Sequence, residues 1–201
     1  MLKELAHDLV DLIFDWGYWG IFLLMVVESS FLPMPSEIVL IPAGYLASQG
    51  QMSVALIMST ALAGSLLGAF INYYLAITLG RRILQKYGKY FFINEATLEK
   101  MESFFEKHGA ISTFIGRLIP GIRQLISVPA GLSRMNLAVF STYTALGAGI
   151  WAFVLTMLGY FIGENQDLID VYLKQITMAT LFILAIICFW YYKAQKTKEE
   201  I

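Results

Sequence analysis

Two carboxylates and three guanidiniums stand almost alone in the apolar parts of this chain. Between residues 17 and 80 only Glu28 and Glu37 are charged, and between residues 110 and 163 only Arg117, Arg123 and Arg134. A charge at the centre of a bilayer costs roughly 2.5–3.5 kcal/mol even on lenient insertion scales, so such residues are rarely incidental. One stretch holds acids and the other holds bases. Guanidinium binds phosphate in bidentate fashion, and a helix N-terminus adds positive partial charge, so Arg117 and Arg123 near broken helix ends suit an anion. Glu28 and Glu37, in apolar surroundings, are candidates for proton carriage. The competing reading is that the four residues form structural salt bridges. Isolated buried pairs are weak stability devices, which favours a functional polar cavity built on the same residues.

Composition sets the environment of these residues. Of 201 residues, 58% are hydrophobic and 14% charged, against roughly 25% charged in soluble domains. With a mean hydropathy of +0.65, the sequence predicts an all-α integral membrane protein. No basic patch with interleaved aromatics suggests nucleic acid. The only histidines, His7 and His108, fall in surface segments, so no metal cluster and no cofactor is expected. Neither a nucleophile elbow nor a phosphate-cradling glycine loop is present, and an enzyme is not expected. Cys188 is the single cysteine and reads as a small apolar residue. The N-terminus lacks a small-residue cleavage site and reads as retained rather than as a cleaved signal.

The elements that must position the charges follow from periodicity and proline. Leu2, Leu5, Leu9, Leu12 and Ile13 recur at helical spacing and predict an interfacial amphipathic helix. Trp16, Tyr18 and Trp19 follow as an aromatic belt. Residues 20–47 are apolar but interrupted by Pro33, Pro35 and Pro42. A helix needs about 20 apolar residues to cross the hydrocarbon, and proline breaks it early. This segment reads as a broken re-entrant hairpin, with a single kinked span as the alternative. Residues 55–80 form a clean span, with Gly64 and Gly68 permitting close helix contact. A basic cluster of Arg81, Arg82, Lys86 and Lys89 comes next. An amphipathic surface helix is expected over 94–108, capped at Asn94. Residues 110–133 repeat the broken pattern, 138–163 form a second clean span, and 175–192 form a third.

The chain repeats itself. Pro33 precedes Pro42-Ala43-Gly44 by nine residues, and Pro120 precedes Pro129-Ala130-Gly131 by nine. The segment LGAFINYYLAITLG at 67–80 matches LGAGIWAFVLTMLG at 146–159. Two matches in the same order define one membrane domain, 1–201, made of repeat 1 (1–80), repeat 2 (94–163) and an extra transmembrane helix (175–192). The first clean span ends in bases, whereas Glu164, Asp167 and Asp170 follow the second. By the positive-inside rule the halves are then inverted relative to each other, and the C-terminus, with Lys193, Lys196 and Lys198, is cytoplasmic. Inverted repeats with discontinuous helices are a transporter architecture. The breaks expected to shape the site are Pro33, Pro35, Pro42 and Gly44 in one half and Pro120, Gly121, Pro129 and Gly131 in the other. On straight helices Glu28 and Glu37 would face opposite ways, as would Arg117 and Arg123; broken helices let each pair turn toward one cavity. Arg134 reads as snorkelling to headgroups. Asn72, Tyr73 and Tyr74 read as helix packing before cavity lining, and Trp151 as core.

The segments VESSFLPMPSEIVLIPAG at 27–44 and GRLIPGIRQLISVPAGLSRM at 116–135 resemble the DedA family, whose members carry a SNARE-associated or VTT domain. The likeness runs over about residues 15–165. Its most specific mark is Gly-Arg, an Arg six residues later, then Pro-Ala-Gly. The resemblance implies paired re-entrant hairpins, each preceded by an amphipathic helix. It also implies lipid transport, with functional arginines at Arg117 and Arg123 and acids at Glu28 and Glu37. Undecaprenyl phosphate, phosphatidylethanolamine and scrambled phospholipids are substrates within that family, and proton coupling has been proposed for it. The expectation is a multi-pass protein of the bacterial cytoplasmic membrane that moves an anionic polyprenyl phosphate, with protons as a compatible co-substrate and a homodimer as a compatible assembly. A phosphatidylethanolamine flippase or scramblase, a proton- or sodium-coupled antiporter, and a non-transporting scaffold are the alternatives.

Overall fold

The computed structural model describes residues 16–30, 35–80, 95–119 and 122–162, with further helical residues at 168, 172, 174–175, 177–183 and 185–186. The amphipathic segment at 2–15, the basic cluster at 81–89, Pro33, Pro120, Gly121, Asp167 and the closing lysines lie outside these residues. The described chain is helical and contains no strand. Helix α1 is Tyr18–Ser29, α2 is Glu37–Ser48, and α3 is Val54–Leu75, continued by a wider π-helical turn at Ala76–Gly80. Helix α4 is Glu95–Leu118, α5 is Ser127–Leu132, and α6 is Leu137–Ile162.

Length separates these helices into two kinds. Val54–Gly80 and Leu137–Ile162, with 27 and 26 residues, are long and apolar enough to cross a membrane. Helices α1 and α2 have 12 residues each, about 18 Å at 1.5 Å per residue, and cover little more than half the hydrocarbon. The chain breaks between α1 and α2 and again between α4 and α5. Helix α1 lies along α3, and α4 lies along α6. The second arms cross over: α2 packs on α6, and α5 packs on α3 and its π-helical turn.

Small residues permit these contacts. A Cβ on Gly68 would come within 2.5 Å of the Val26 carbonyl of α1, and one on Gly147 within 2.6 Å of the Arg117 Cβ of α4. These glycines hold matching places in the two similar sequence segments. The Pro-Ala-Gly glycines act alike: Gly44 abuts the Thr156 carbonyl of α6, and Gly131 abuts the Tyr73 carbonyl of α3. Ile21, Leu24, Val39, Leu40, Ile57 and Leu155 form one apolar core. Tyr73, Phe105, Ile126 and Phe140 form a second, with the Tyr73 and Phe140 rings stacked at 4.9 Å.

Three sequence expectations change here. The surface helix at 94–108 does not stop before the second broken segment; α4 runs unbroken from Glu95 to Leu118. Gly109 is the weakest helix former at that junction, and it packs against Met135, where a side chain would crowd the sulfur at 3.2 Å. Pro42 and Pro129 do not break helices. Pro42 lies inside α2, where its ring leaves only one turn unbonded. Pro129 is in the first turn of α5, where the missing N–H has no intrahelical partner anyway. The described breaks therefore flank residue 30 to Ser36, with Pro35 at the entry to α2, and residues 119–126.

Helix α6 starts at a built cap. The Asn136 side-chain oxygen accepts from the Ala138 and Val139 amides at 3.0 and 3.2 Å. Helix α5 ends on a Schellman turn, with the Met135 amide donating to the Ala130 carbonyl and the Arg134 amide to Gly131, each at 3.0 Å. Exposed Arg134 takes the left-handed position there at φ 50°.

The crossed glycine contacts predict a graded response. Gly44→Ala should destabilise the protein by about 1–3 kcal/mol through overpacking against backbone. Gly149→Ala, with nothing nearer than 3.9 Å, should be neutral or slightly stabilising. Thermal unfolding of detergent-solubilised protein, followed by size-exclusion, reads the difference.

Candidate functional site

The charged residues are placed by the two chain breaks. Glu28 is in the last turn of α1, and Glu37 is the first residue of α2. Arg117 is in the last turn of α4, and Arg123 lies in the turns that join α4 to α5. Arg117 thus sits at a helix C-terminus, where the carbonyl end of the dipole favours a cation. The expected helix N-terminal contribution to an anion site is not found at this residue.

Arg123 bridges the acids. Its Nε is 3.1 Å from Glu28 Oε1, and its Nη2 is 3.6 Å from Glu37 Oε2. Glu28 is 4% exposed and Arg123 8%. The other Glu28 oxygen accepts a hydrogen bond from Ser29 Oγ at 2.7 Å. Arg123 Nε and Nη1 have no aligned hydrogen-bond acceptor, so charge rather than directed bonding holds the bridge. The guanidinium lies 5.7 Å from the centre of the Trp151 ring, within the range of cation–π attraction.

Arg117 is held differently. It is 3% exposed, and its Nη2 donates to Ser127 Oγ at 3.0 Å. Its Nε is buried without an acceptor. Neither carboxylate makes an ion pair with Arg117, although Glu28 and Arg123 both lie within its electrostatic reach. Among the described residues its hydrogen bond is to a neutral hydroxyl, which leaves guanidinium N–H groups to attract an anion.

These groups surround a small cavity lined by Met25, Glu28, Ser36, Arg117, Arg123 and Trp151 among others, with about 20 Å³ open to the centre of a water molecule. That is room for about one water and not for a phosphate group.

Asn72 joins the two breaks. Its side-chain NH₂ donates to the Ser29 and Ser30 carbonyls, each at 3.1 Å, and to the Gln124 carbonyl at 3.3 Å. Backbone groups freed inside a membrane must find protein partners, and this amide supplies them on both sides of the site. Asn72 and Trp151 occupy equivalent places in the matched segments 67–80 and 146–159. That equivalence was the available signal that both face the breaks. Ser127, Ser29 and Ser36 carried no signal, because isolated serines are common in apolar helices.

A family model described as VTT domain matches residues 34–161. The "Uncharacterized membrane protein YkoX" of Bacillus subtilis (strain 168) is 34% identical over 203 residues, covering 99% of this chain and 90% of that protein. A protein of Lactococcus lactis subsp. lactis (strain IL1403) named "Alkaline phosphatase-like protein" is 34% identical over 192 residues, covering 90% of each chain. "Undecaprenyl phosphate transporter A" of Bacillus subtilis (strain 168) is 30% identical over 196 residues, covering 97% of this chain and 96% of the relative. No solved structure matches. The chain belongs to the VTT-domain family, the DedA family of membrane proteins.

Uneven pairing predicts uneven stability effects. Arg123→Ala leaves two carboxylates without their cation and should cost about 3–5 kcal/mol. Adding Glu28→Gln and Glu37→Gln to it should restore much of that loss. Arg117→Met removes a cation with no ion pair among the described residues and should cost clearly less than Arg123→Ala. Unfolding of the purified variants in one detergent checks the order.

Proposed function

We propose that this protein is a membrane lipid transporter that takes an anionic phosphate headgroup, undecaprenyl phosphate being the substrate favoured. The observation that carries the reading is Arg117, a buried guanidinium with no ion pair among the described residues, beside Arg123 in one cavity. A phosphate monoester can take bidentate bonds from both guanidiniums. The printed name of the Bacillus relative adds support. In the closed arrangement Glu28 and Glu37 occupy the place of the headgroup on Arg123. Loading then exchanges an internal carboxylate for an external phosphate, and protonation of either acid favours the exchange. The cavity groups act as carriers and not as an enzyme's nucleophile and base.

The architecture proposed for this transport is the inverted repeat. Residues 1–80 and 94–163 form the two halves, each with a broken re-entrant hairpin and a span, and 175–192 adds a further span. Support comes from the paired contacts: each first arm lies on its own span, and each second arm lies on the other half's span. The bacterial cytoplasmic membrane, with the C-terminus inside, fits the charge bias. Cysteines placed near Lys86 and Lys196 should label from the cytoplasm, and one near Asp167 from outside. Labelling of Asp167 and Lys196 sites from one side would contradict the inversion.

The Lactococcus relative's name directs a second reading to the same chemical group, phosphate-ester cleavage. One experiment separates the two. Purified protein in liposomes is given labelled undecaprenyl phosphate, with labelled phosphatidylethanolamine in parallel, and both lipid movement and phosphate release are followed. Transport of the polyprenyl phosphate without release supports the proposal. Arg117→Ala and Arg123→Ala should abolish movement, and the Lys variants should still impair it, since lysine keeps the charge but loses the planar fork. Wild-type rates in both Ala variants would refute the headgroup site.

A further inference from the structure

We propose that Trp151 is a working part of the headgroup site: its ring is the alternative partner that holds Arg123 when the carboxylates let go, and its indole N–H donates to the phosphate. The inference rests on the phosphate-headgroup reading above.

Two independent observations carry it. The first is position. Trp151 lines the cavity with Glu28, Arg117 and Arg123, and Arg123 Cζ lies 5.7 Å from its ring centre. In this arrangement Arg123 is shared among three partners, two carboxylates and one aromatic face. When a phosphate displaces the carboxylates, the ring is the partner that does not compete for the guanidinium N–H groups. Cation–π attraction uses the face of the guanidinium and leaves its edge free for bidentate bonding. Trp151 therefore keeps Arg123 aimed while its in-plane donors change acceptors.

The second observation is the unused donor. Trp151 is 5% exposed, and its Nε1 is buried without a hydrogen-bond acceptor. Buried indole N–H groups usually find a partner, and an unmade bond at a buried donor is costly. A packing role alone would be met by Phe or Leu at no such cost. The packing around it sets the ring rigidly, since Trp151 belongs to the apolar core with Leu155, Ala152 and Leu40. The equivalent place in the other half is Asn72, which also spends its N–H donors on the breaks. Equivalent places in the two matched segments thus hold an N–H donor, one bonded to carbonyls at the breaks and one, on this proposal, reserved for the ligand.

The test compares Trp151→Phe, which keeps an aromatic face and loses the N–H, with Trp151→Leu, which loses both. Binding is measured to nanodiscs of phosphatidylcholine doped with undecaprenyl phosphate, with undoped nanodiscs and inorganic phosphate as parallel arms. Trp151→Phe should weaken binding on the order of tenfold and Trp151→Leu further, the scale of a lost hydrogen bond to a charged group. In the Arg123→Ala background, Trp151→Leu should add less than about threefold, because residues acting through one another are not additive. A second measurement leaves Trp151 intact: Trp16, Trp19 and Trp190 are changed to Phe, and emission of the remaining tryptophan is followed. It should change with doped nanodiscs and not with undoped ones. Response to inorganic phosphate as well would assign recognition to the headgroup alone; response only to the doped nanodisc would make the lipid tail part of it. Binding by both Trp151 variants within about threefold of wild type, or unchanged Trp151 emission while wild type binds, overturns this inference and leaves the headgroup reading standing. Absence of wild-type binding to undecaprenyl phosphate overturns both.

Discussion

The contact of Arg123 with Glu28 and Glu37 is the constraint around which the described chain is organised. Glu28 ends α1, Glu37 begins α2, and Arg123 lies in the turns before α5. One guanidinium therefore fastens both sides of the first break to the second. Bringing three ionic groups into an apolar interior is expensive, and mutual attraction offsets that cost only while the geometry holds. On the proposed reading such a contact is stable when closed and gives way to a ligand that supplies a better anion. That places the exchange of partners, rather than a preformed pocket, at the centre of the proposed transport step. The 20 Å³ cavity is consistent with a closed state of such a site.

The rest of the architecture makes that contact affordable. Asn72 satisfies carbonyls at both breaks. Gly68 and Gly147 let α1 and α4 approach the spans closely enough to deliver Glu28 and Arg117. Gly44 and Gly131 let α2 and α5 lie against the opposite spans. Each glycine removes a side chain where two backbones nearly touch, the small-residue packing on which helix contacts in membranes depend. The Pro-Ala-Gly segments thus serve packing through their glycines more than breaking through their prolines.

Much of this was legible in the chain. Sparse charge in apolar stretches singled out Glu28, Glu37, Arg117 and Arg123, because a membrane interior penalises charge strongly enough to leave a visible pattern. The two long spans were equally plain, since hydropathy over about 20 residues is the strongest signal available. What stayed hidden depends on tertiary partners. Pro42 reads as a break in isolation, but packing carries α2 through it. Residues 95–118 change from amphipathic to apolar along one helix, and a composition shift looks like a boundary even where the backbone continues. Arg117 and Arg123 looked equivalent; only the fold shows that one holds both acids and the other a serine. Trp151 in an apolar run cannot be told from core until Arg123 is seen above its ring.

The most direct test of the account is an experimental structure of the protein loaded with undecaprenyl phosphate. The phosphate should be bonded to both Arg117 and Arg123 at about 2.8 Å, the distance of charge-assisted hydrogen bonds, with Glu28 and Glu37 moved off the Arg123 guanidinium. A lipid phosphate bound elsewhere, with Arg123 Nε still 3.1 Å from Glu28 Oε1, would contradict it.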